Sequence, residues 1–210
     1  IYLGVDLHKK SITLTRIIDQ STPQPAQRFT WETFWPFVEK QIALAKKVCA
    51  VYEAGAFGFW PCRKLEEMGV ECYVAHPQKL DPGHKRVQTD KLDSRHLADK
   101  LQRYVLGNRK AMVAVNIPTV EQEQQRIQSR HRKTLTRQLL SLQRRGQGLL
   151  LSQGVFATQG WWSKGRWEGL KAALSPQLAE ALEDDRELIL DLQKRCAKVE
   201  KKVAATAPKQ

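Results

Sequence analysis

The spacing of apolar and polar positions changes several times along the chain, and each change marks an element. "IYLGVD" is a short apolar run closed by Asp6. After "LHKK", the stretch "SITLTRII" is rich in β-branched residues, so the two runs predict a hairpin. "STPQPA" is a loop and "QRFTW" a third short strand. Across "ETFWPFVEKQIALAKK", Phe34, Phe37, Val38, Ile42 and Ala45 recur at helical spacing, with Pro36 tolerated near the start of the helix. "VCAVYE" is a second wholly apolar strand that stops on an acid, Glu53. A helix, "FGFWPCRKLEEM", follows, then a strand, "VECYVA", closed by His76-Pro77. "QKLDPGHKRVQT" reads as a loop long enough to suspect function, and a helix begins near Asp90 and runs to about Gly107.

The second half has a different pattern. Residues 124–167 contain neither Asp nor Glu, while Ile127, Leu135, Leu139, Leu142, Leu149 and Leu150 form a ragged helical stripe through the first part. This predicts one long basic helix, broken near Gly146 and Gly148. "GVFATQGWWSKGRW" is a glycine- and tryptophan-rich connector. After Pro176, a last helix carries Leu178, Leu182, Leu188, Leu190, Leu192 and Val199. Two long helices joined by a connector predict an antiparallel pair or a dimerising coil. The chain therefore divides into an α/β domain over 1–112, a mixed sheet flanked by helices, and a helical coiled-coil region over 113–210.

Composition adds a partner class. The 210 residues hold 35 Lys and Arg against 22 Asp and Glu, a net charge of +13, and clustered cations gain affinity by releasing counterions from a phosphate backbone. Nucleic acid is the expected partner. A hydrophobic fraction of 41% supports a packed core and argues against wholesale disorder. No apolar run reaches the ~18 residues of a membrane span, and the first run ends too soon, at Asp6, for a secretory signal, so a cytoplasmic location is expected. Cys49, Cys62, Cys72 and Cys196 show no C-x-x-C spacing and read as reduced structural thiols. Trp31, Trp35 and Trp60 read as core, whereas Trp161, Trp162 and Trp167 could stack on bases or staple the long helices together.

The candidate chemistry lies in four acids. Ligands of α/β folds gather at the carboxyl ends of strands, and Asp6 and Glu53 each end an apolar strand. Positions 90, 93, 97, 101 and 104 follow helical steps, so Asp90 and Asp93 continue the inward stripe of Leu97, Leu101 and Tyr104. Taken singly, each acid has a structural reading as a helix cap or strand-end turn former. Converging on one locus, they would repel unless a cation held them, and hard oxygen ligands of this kind select Mg²⁺ or Mn²⁺. His8 and His84 could approach the site, though both read as loop histidines without a role.

In order and spacing, "GVDLHKKSIT", "YEAGAFGFWPCRKLEEMGVECYVAHP" and "KRVQTDKLDSRHLADKL" resemble the DEDD transposases of bacterial insertion elements, the bridge-RNA-guided recombinases related to Piv-type invertases. The resemblance implies an RNase-H-like (RuvC-like) domain with Asp6, Glu53, Asp90 and Asp93 as catalytic and metal-binding acids, followed by a coiled-coil region. It further implies a second domain, beyond "VAATAPKQ", whose serine attacks DNA. Homodimers or dimers of dimers would then exchange strands between donor and target DNA selected by a structured guide RNA, on the bacterial nucleoid. Candidate nucleic-acid contacts are Lys85, Arg86, Lys91, Arg126, Arg130, Arg132, Lys133, Arg137, Arg144, Arg145, Lys164 and Arg166. Three other readings compete: a stand-alone RuvC-like metal nuclease, a non-catalytic RNA-binding dimerisation scaffold, and an actin-like nucleotide-binding domain.

Overall fold

The computed structural model describes residues 1–77, 90–156 and 160–206. The chain forms two compact units, Ile1–Ile117 and Pro118–Gln210.

The first unit is built on one mixed five-stranded sheet. In chain order its elements are β1 (Tyr2–Leu7), β2 (Ile12–Ile17), β3 (Gln27–Phe29), α1 (Trp31–Leu44), β4 (Cys49–Glu53), α2 (Trp60–Glu67), β5 (Glu71–Ala75) and α3 (Asp90–Val105). The strand order is β3-β2-β1-β4-β5. The hairpin makes β1–β2 antiparallel, β3 extends that antiparallel half, and β4 and β5 continue from β1 in parallel. Each parallel connection carries a helix, as parallel crossovers require. α1 begins where the Thr30 side chain accepts a hydrogen bond from the Thr33 amide in a capping box.

Strand alternation assigns the two faces of the sheet. Leu3, Val5, Leu14, Ala50, Tyr52 and Val74 pack with Phe34 and Val38 of α1 and Cys62 and Leu65 of α2. On the opposite face, Cys49, Val51 and Ala75 pack with Leu97 and Leu101 of α3 and with Met112. Residues after Met112 run beside β5: the Val115 amide donates to Val74 O at 2.7 Å and the His76 amide to Val113 O at 3.0 Å. All four cysteines are free and buried.

The approach of α3 to the sheet is unusually close. A Cβ placed on Gly4 would lie 2.1 Å from the Ser94 carbonyl oxygen and 2.3 Å from the Ala98 nitrogen, so only glycine lets the helix backbone cross β1 here. Thr15, opposite Gly4 in the hairpin, shares a buried 3.0 Å hydrogen bond with the Ser94 hydroxyl.

The second unit consists of α4 (Val120–Ser152), α5 (Lys164–Lys171) and α6 (Pro176–Thr206). The break expected near Gly146 and Gly148 is absent, and α4 is continuous through both. Glycine costs about 1 kcal/mol in a helix, which tertiary packing readily offsets. At Gly146 that packing is the indole of Trp161, whose Cζ2 would sit 2.1 Å from an added Cβ. Trp161 and Trp167 form the core of this unit with Leu150, Leu182 and Ile189, and the Trp161 indole donates to Gln143 O at 3.1 Å. The two long helices run antiparallel: Arg145 meets Asp185, and the earlier Leu135 shares a groove with the later Arg195. The buried stripe of α6 runs through Ala179, Leu182, Asp185, Ile189 and Cys196, leaving Leu188 53% exposed.

Candidate functional site

Asp6 and Glu53 reach one locus through strand register. β1 and β4 are parallel with Val5 opposite Tyr52, so Asp6 and Glu53 are the next residues along neighbouring strands. The face that carries Gly4 and Val51 also carries Asp6 and Glu53, two residues further along each strand. That is the face covered by α3. Asp90 is the first residue of α3, and Asp93 lies one turn later.

His8 completes the cluster. Its Nε2 lies 2.9 Å from Asp6 Oδ2 and 3.4 Å from Asp90 Oδ1, so one imidazole spans acids from β1 and α3. The potential ligand atoms of Asp6, His8 and Asp90 all lie within 4.8 Å of one another. Glu53 and Asp93 stand outside that set and are coupled to it through their charge. Reading His8 as a loop residue without a role missed this geometry. The signal that could have found it is alternation, since residues 6 and 8 of an extended segment share a face.

Burial, together with mutual repulsion, shapes the electrostatics. Asp6 is held above its ordinary carboxylate range first by burial, then by the charges of Asp90 and Asp93, while the His8 hydrogen bond and charge pull it back. Glu53 is likewise raised by burial and by Asp93 and Asp6, with Lys100 opposing. The Asp6 side chain is 21% exposed, against 46% for His8 and 48% for Asp90, so the pocket opens to solvent on the Asp90 side. Crowded carboxylates with an imidazole, Asp6 partly buried, Glu53 and His8 exposed at the rim and the Asp90 side chain half exposed, make a donor set suited to a divalent cation.

The candidate nucleic-acid contacts lie mainly on the second unit. Arg126, Arg130, Arg132, Lys133, Arg137, Arg144, Lys164 and Arg166 are all exposed, as is Lys91 on α3. Arg132, Lys133, Arg137 and Arg144 line a groove of about 880 Å³ along α4. A second groove, of about 990 Å³, joins Arg144 to Arg166 beside Trp162. Arg145 is engaged within the fold, donating to Asp185 at 2.8 Å. Lys85, Arg86 and His84 lie outside the described residues. Trp161 and Trp167 are buried and staple the helices, which removes them from base stacking in this conformation. Trp60, expected in the core, is 45% exposed. No described helix is long and apolar enough to cross a membrane.

No family model matches the chain. It is 37% identical over 111 residues to a Sinorhizobium fredii protein named "Putative transposase y4rJ", an alignment covering 52% of this chain and 28% of that protein. It is 25% identical over 111 residues to the transposase for insertion sequence element IS1533 of Leptospira borgpetersenii, covering 51% of this chain and 32% of that one. The chain thus spans about a third or less of the curated relatives it matches.

Proposed function

We propose that this chain is the metal-binding part of an insertion-element transposase, acting on DNA as an RNA-guided recombinase of the DEDD type. The observation that carries the reading is the convergence of Asp6 and Asp90, from β1 and α3, on one imidazole, with Glu53 next to Asp6 in register. Similarity to two transposases supports the same reading. So does the sheet, whose two acid-ended strands are parallel neighbours, as an RNase-H-like site requires.

The residues present fit a Mg²⁺ or Mn²⁺ ion. Burial and mutual repulsion raise Asp6 and Glu53, a strain that a cation would relieve. Asp6 and Asp90 would hold the ion directly, with Glu53 and Asp93 adding negative charge around it. When bound, such an ion neutralises charge on the oxygens of a reacting phosphodiester. His8, bridging Asp6 and Asp90, keeps the two acids close and fixes their orientation before DNA arrives. The nucleophilic serine belongs to a further domain, and α4 with its basic groove takes the guide RNA, in a dimer or dimer of dimers.

Calorimetric titration of Mg²⁺ and Mn²⁺ tests the site. Binding to the wild-type chain should weaken about tenfold or more in both Asp6→Asn and Asp90→Asn, given unchanged circular dichroism. Wild-type affinity in both variants would remove the shared site and with it the proposed chemistry.

A further inference from the structure

Four aromatic rings cluster on the α1–α2 face of the sheet, at the strand ends that carry the acid site. Trp31 lies 5.1 Å from Trp60, 5.4 Å from Phe57 and 6.1 Å from Trp35, and Trp35 lies 6.1 Å from Trp60. Trp31 and Trp35 are partly buried against the core, but Phe57 and Trp60 lie outside the core cluster, layered over the inner pair. Trp60, the first residue of α2, is 45% exposed. Core packing accounts for the inner pair but not for the outer edge, where Phe57 is partly buried and Trp60 exposed, and contiguous apolar surface reaching solvent marks a binding site more often than chance.

The position and charge of the cluster identify its occupant. The Trp31 indole donates a 3.2 Å hydrogen bond to the backbone carbonyl of His8, the residue whose ring bridges Asp6 and Asp90. The edge of the aromatic surface is therefore one hydrogen bond from the backbone of the acid site. Lys64 lies 4.0 Å over the Trp35 ring, and Lys9 and Lys10, immediately after His8, are exposed. Flat rings interleaved with cations suit unpaired nucleotides, since every base has a π-face and the cations meet the backbone phosphates. A protein partner would be matched by the apolar rings but not by these flanking lysines, in a chain whose net charge is +13.

We propose that Trp31, Trp35, Phe57 and Trp60 form a stacking platform for unpaired bases of a DNA strand entering the acid site. The proposal rests on the DNA-processing reading above and extends it by naming which part of the substrate this surface takes. Stacking here holds the strand beside Asp6 and Asp90 with its bases splayed out, which leaves its phosphates free to face the acids.

The test is anisotropy of a short labelled oligo(dT) with the full chain in EDTA, so that metal binding plays no part. Trp60→Ala should weaken binding by about 5-fold or more, and Trp60→Phe should recover most of it. The slope of affinity against salt should be unchanged in Trp60→Ala, because no phosphate contact is lost, whereas Lys10→Gln, beside the platform, should reduce it by about 0.7. Circular dichroism of each variant confirms folding. The platform is overturned if the wild-type chain fails to bind oligo(dT), or if Trp60→Ala binds it equally well. It is also overturned if the loss is confined to oligo(rU), if it is equal for duplex DNA, or if Trp60→Ala abolishes only self-association of the chain. Loss of oligo(dT) binding in Trp60→Ala alongside a failed metal titration would sink the acid-site reading and leave the platform standing.

Discussion

The closest approach in the first unit gives the sharpest prediction. In Gly4→Ala, the new Cβ would lie 2.1 Å from the Ser94 carbonyl oxygen, 2.3 Å from the Ala98 nitrogen and 2.9 Å from the Ala98 Cα. Since ordinary contact begins near 3.4 Å, α3 must retreat by more than ~1 Å, and close-packed interiors do not absorb such shifts freely. Every clashing atom is backbone, so trimming a neighbouring side chain cannot relieve the overlap. Overpacking of this kind costs about 1–3 kcal/mol and occasionally more. In a unit of this size, each kcal/mol lowers the melting temperature by about 4 °C. The same retreat carries Asp90 and Asp93 away from Asp6, so the divalent affinity proposed above should fall with stability although no acid has been altered. Thermal melts followed by circular dichroism read the first effect, and calorimetry below the melting range reads the second. A companion, Ser94→Ala, removes the partner of the buried Thr15 hydroxyl without pushing on the helix. It should cost about 1–3 kcal/mol while largely sparing metal affinity. A Gly4→Ala chain that melts like wild type and binds metal as tightly would refute the packing of α3 on β1 described above.

Other consequences are accessible to simpler measurements. Asp6 and Glu53 sit above their ordinary values of 3.8 and 4.5 in the folded chain. Their protonated forms therefore favour the folded state fully below those values, and that contribution is lost as pH rises through the raised native values. In EDTA, the melting temperature of Asp6→Asn minus that of wild type should grow in the variant's favour from about pH 4 towards neutrality; a flat difference would contradict it. Gly146→Ala drives a methyl into the buried Trp161 ring and should destabilise the second unit by about 1–3 kcal/mol. Because the obstacle here is a side chain, pairing it with Trp161→Leu should give a non-additive double mutant in chemical denaturation. Arg145→Gln leaves the Asp185 carboxylate, only 3% exposed, without its cation. It should cost about 1–3 kcal/mol, and Asp185→Asn in the same chain should restore part of that loss in the same denaturation assay.

Some of this architecture was legible in the chain and some was not, for identifiable reasons. The apolar runs ending at Asp6 and Glu53 read as strands because both faces of a central strand are buried. The steps from Asp90 through Leu101 read as one helix face because a helix on a sheet buries a single stripe. Strand order was not legible, because hydrogen bonds between strands leave no mark on spacing within one strand. The continuity of α4 was misjudged from local propensity, which could not anticipate that Trp161 would occupy the space beside Gly146. Trp60 was placed in the core on residue type alone, and its exposure became visible only once Trp31 and Trp35 had claimed the inner layer. The four acids stand out in the sequence because they recur at element ends, whereas His8 lies just past the end of the apolar run, where alternation with Asp6 is its single signal.

Why the two pairs of acids arrive at the same height follows from the Gly4 crossing. α3 lies with its later residues over the start of β1, since Gly4 meets Ser94 and Ala98 while Asp6, further along the strand, meets the earlier Asp90 through His8, so helix and strand run in opposite directions. From the crossing, Asp6 is two residues on, about 7 Å along a strand, and Asp90 is four residues back from Ser94, about 6 Å along a helix. The two rises nearly match, so a single close contact of small residues brings carboxylates from distant parts of the chain within reach of one imidazole, that of His8. A wider crossing would lift the whole start of the helix away from the sheet. The orientation also places the amino end of α3 above the acids, where the helix dipole favours negative charge by about 0.3–1 kcal/mol per group. That offsets part of the repulsion among them before any cation binds. Gly4, Ser94 and Ala98 thus belong to the site as much as the acids do, although none of the three carries a charge.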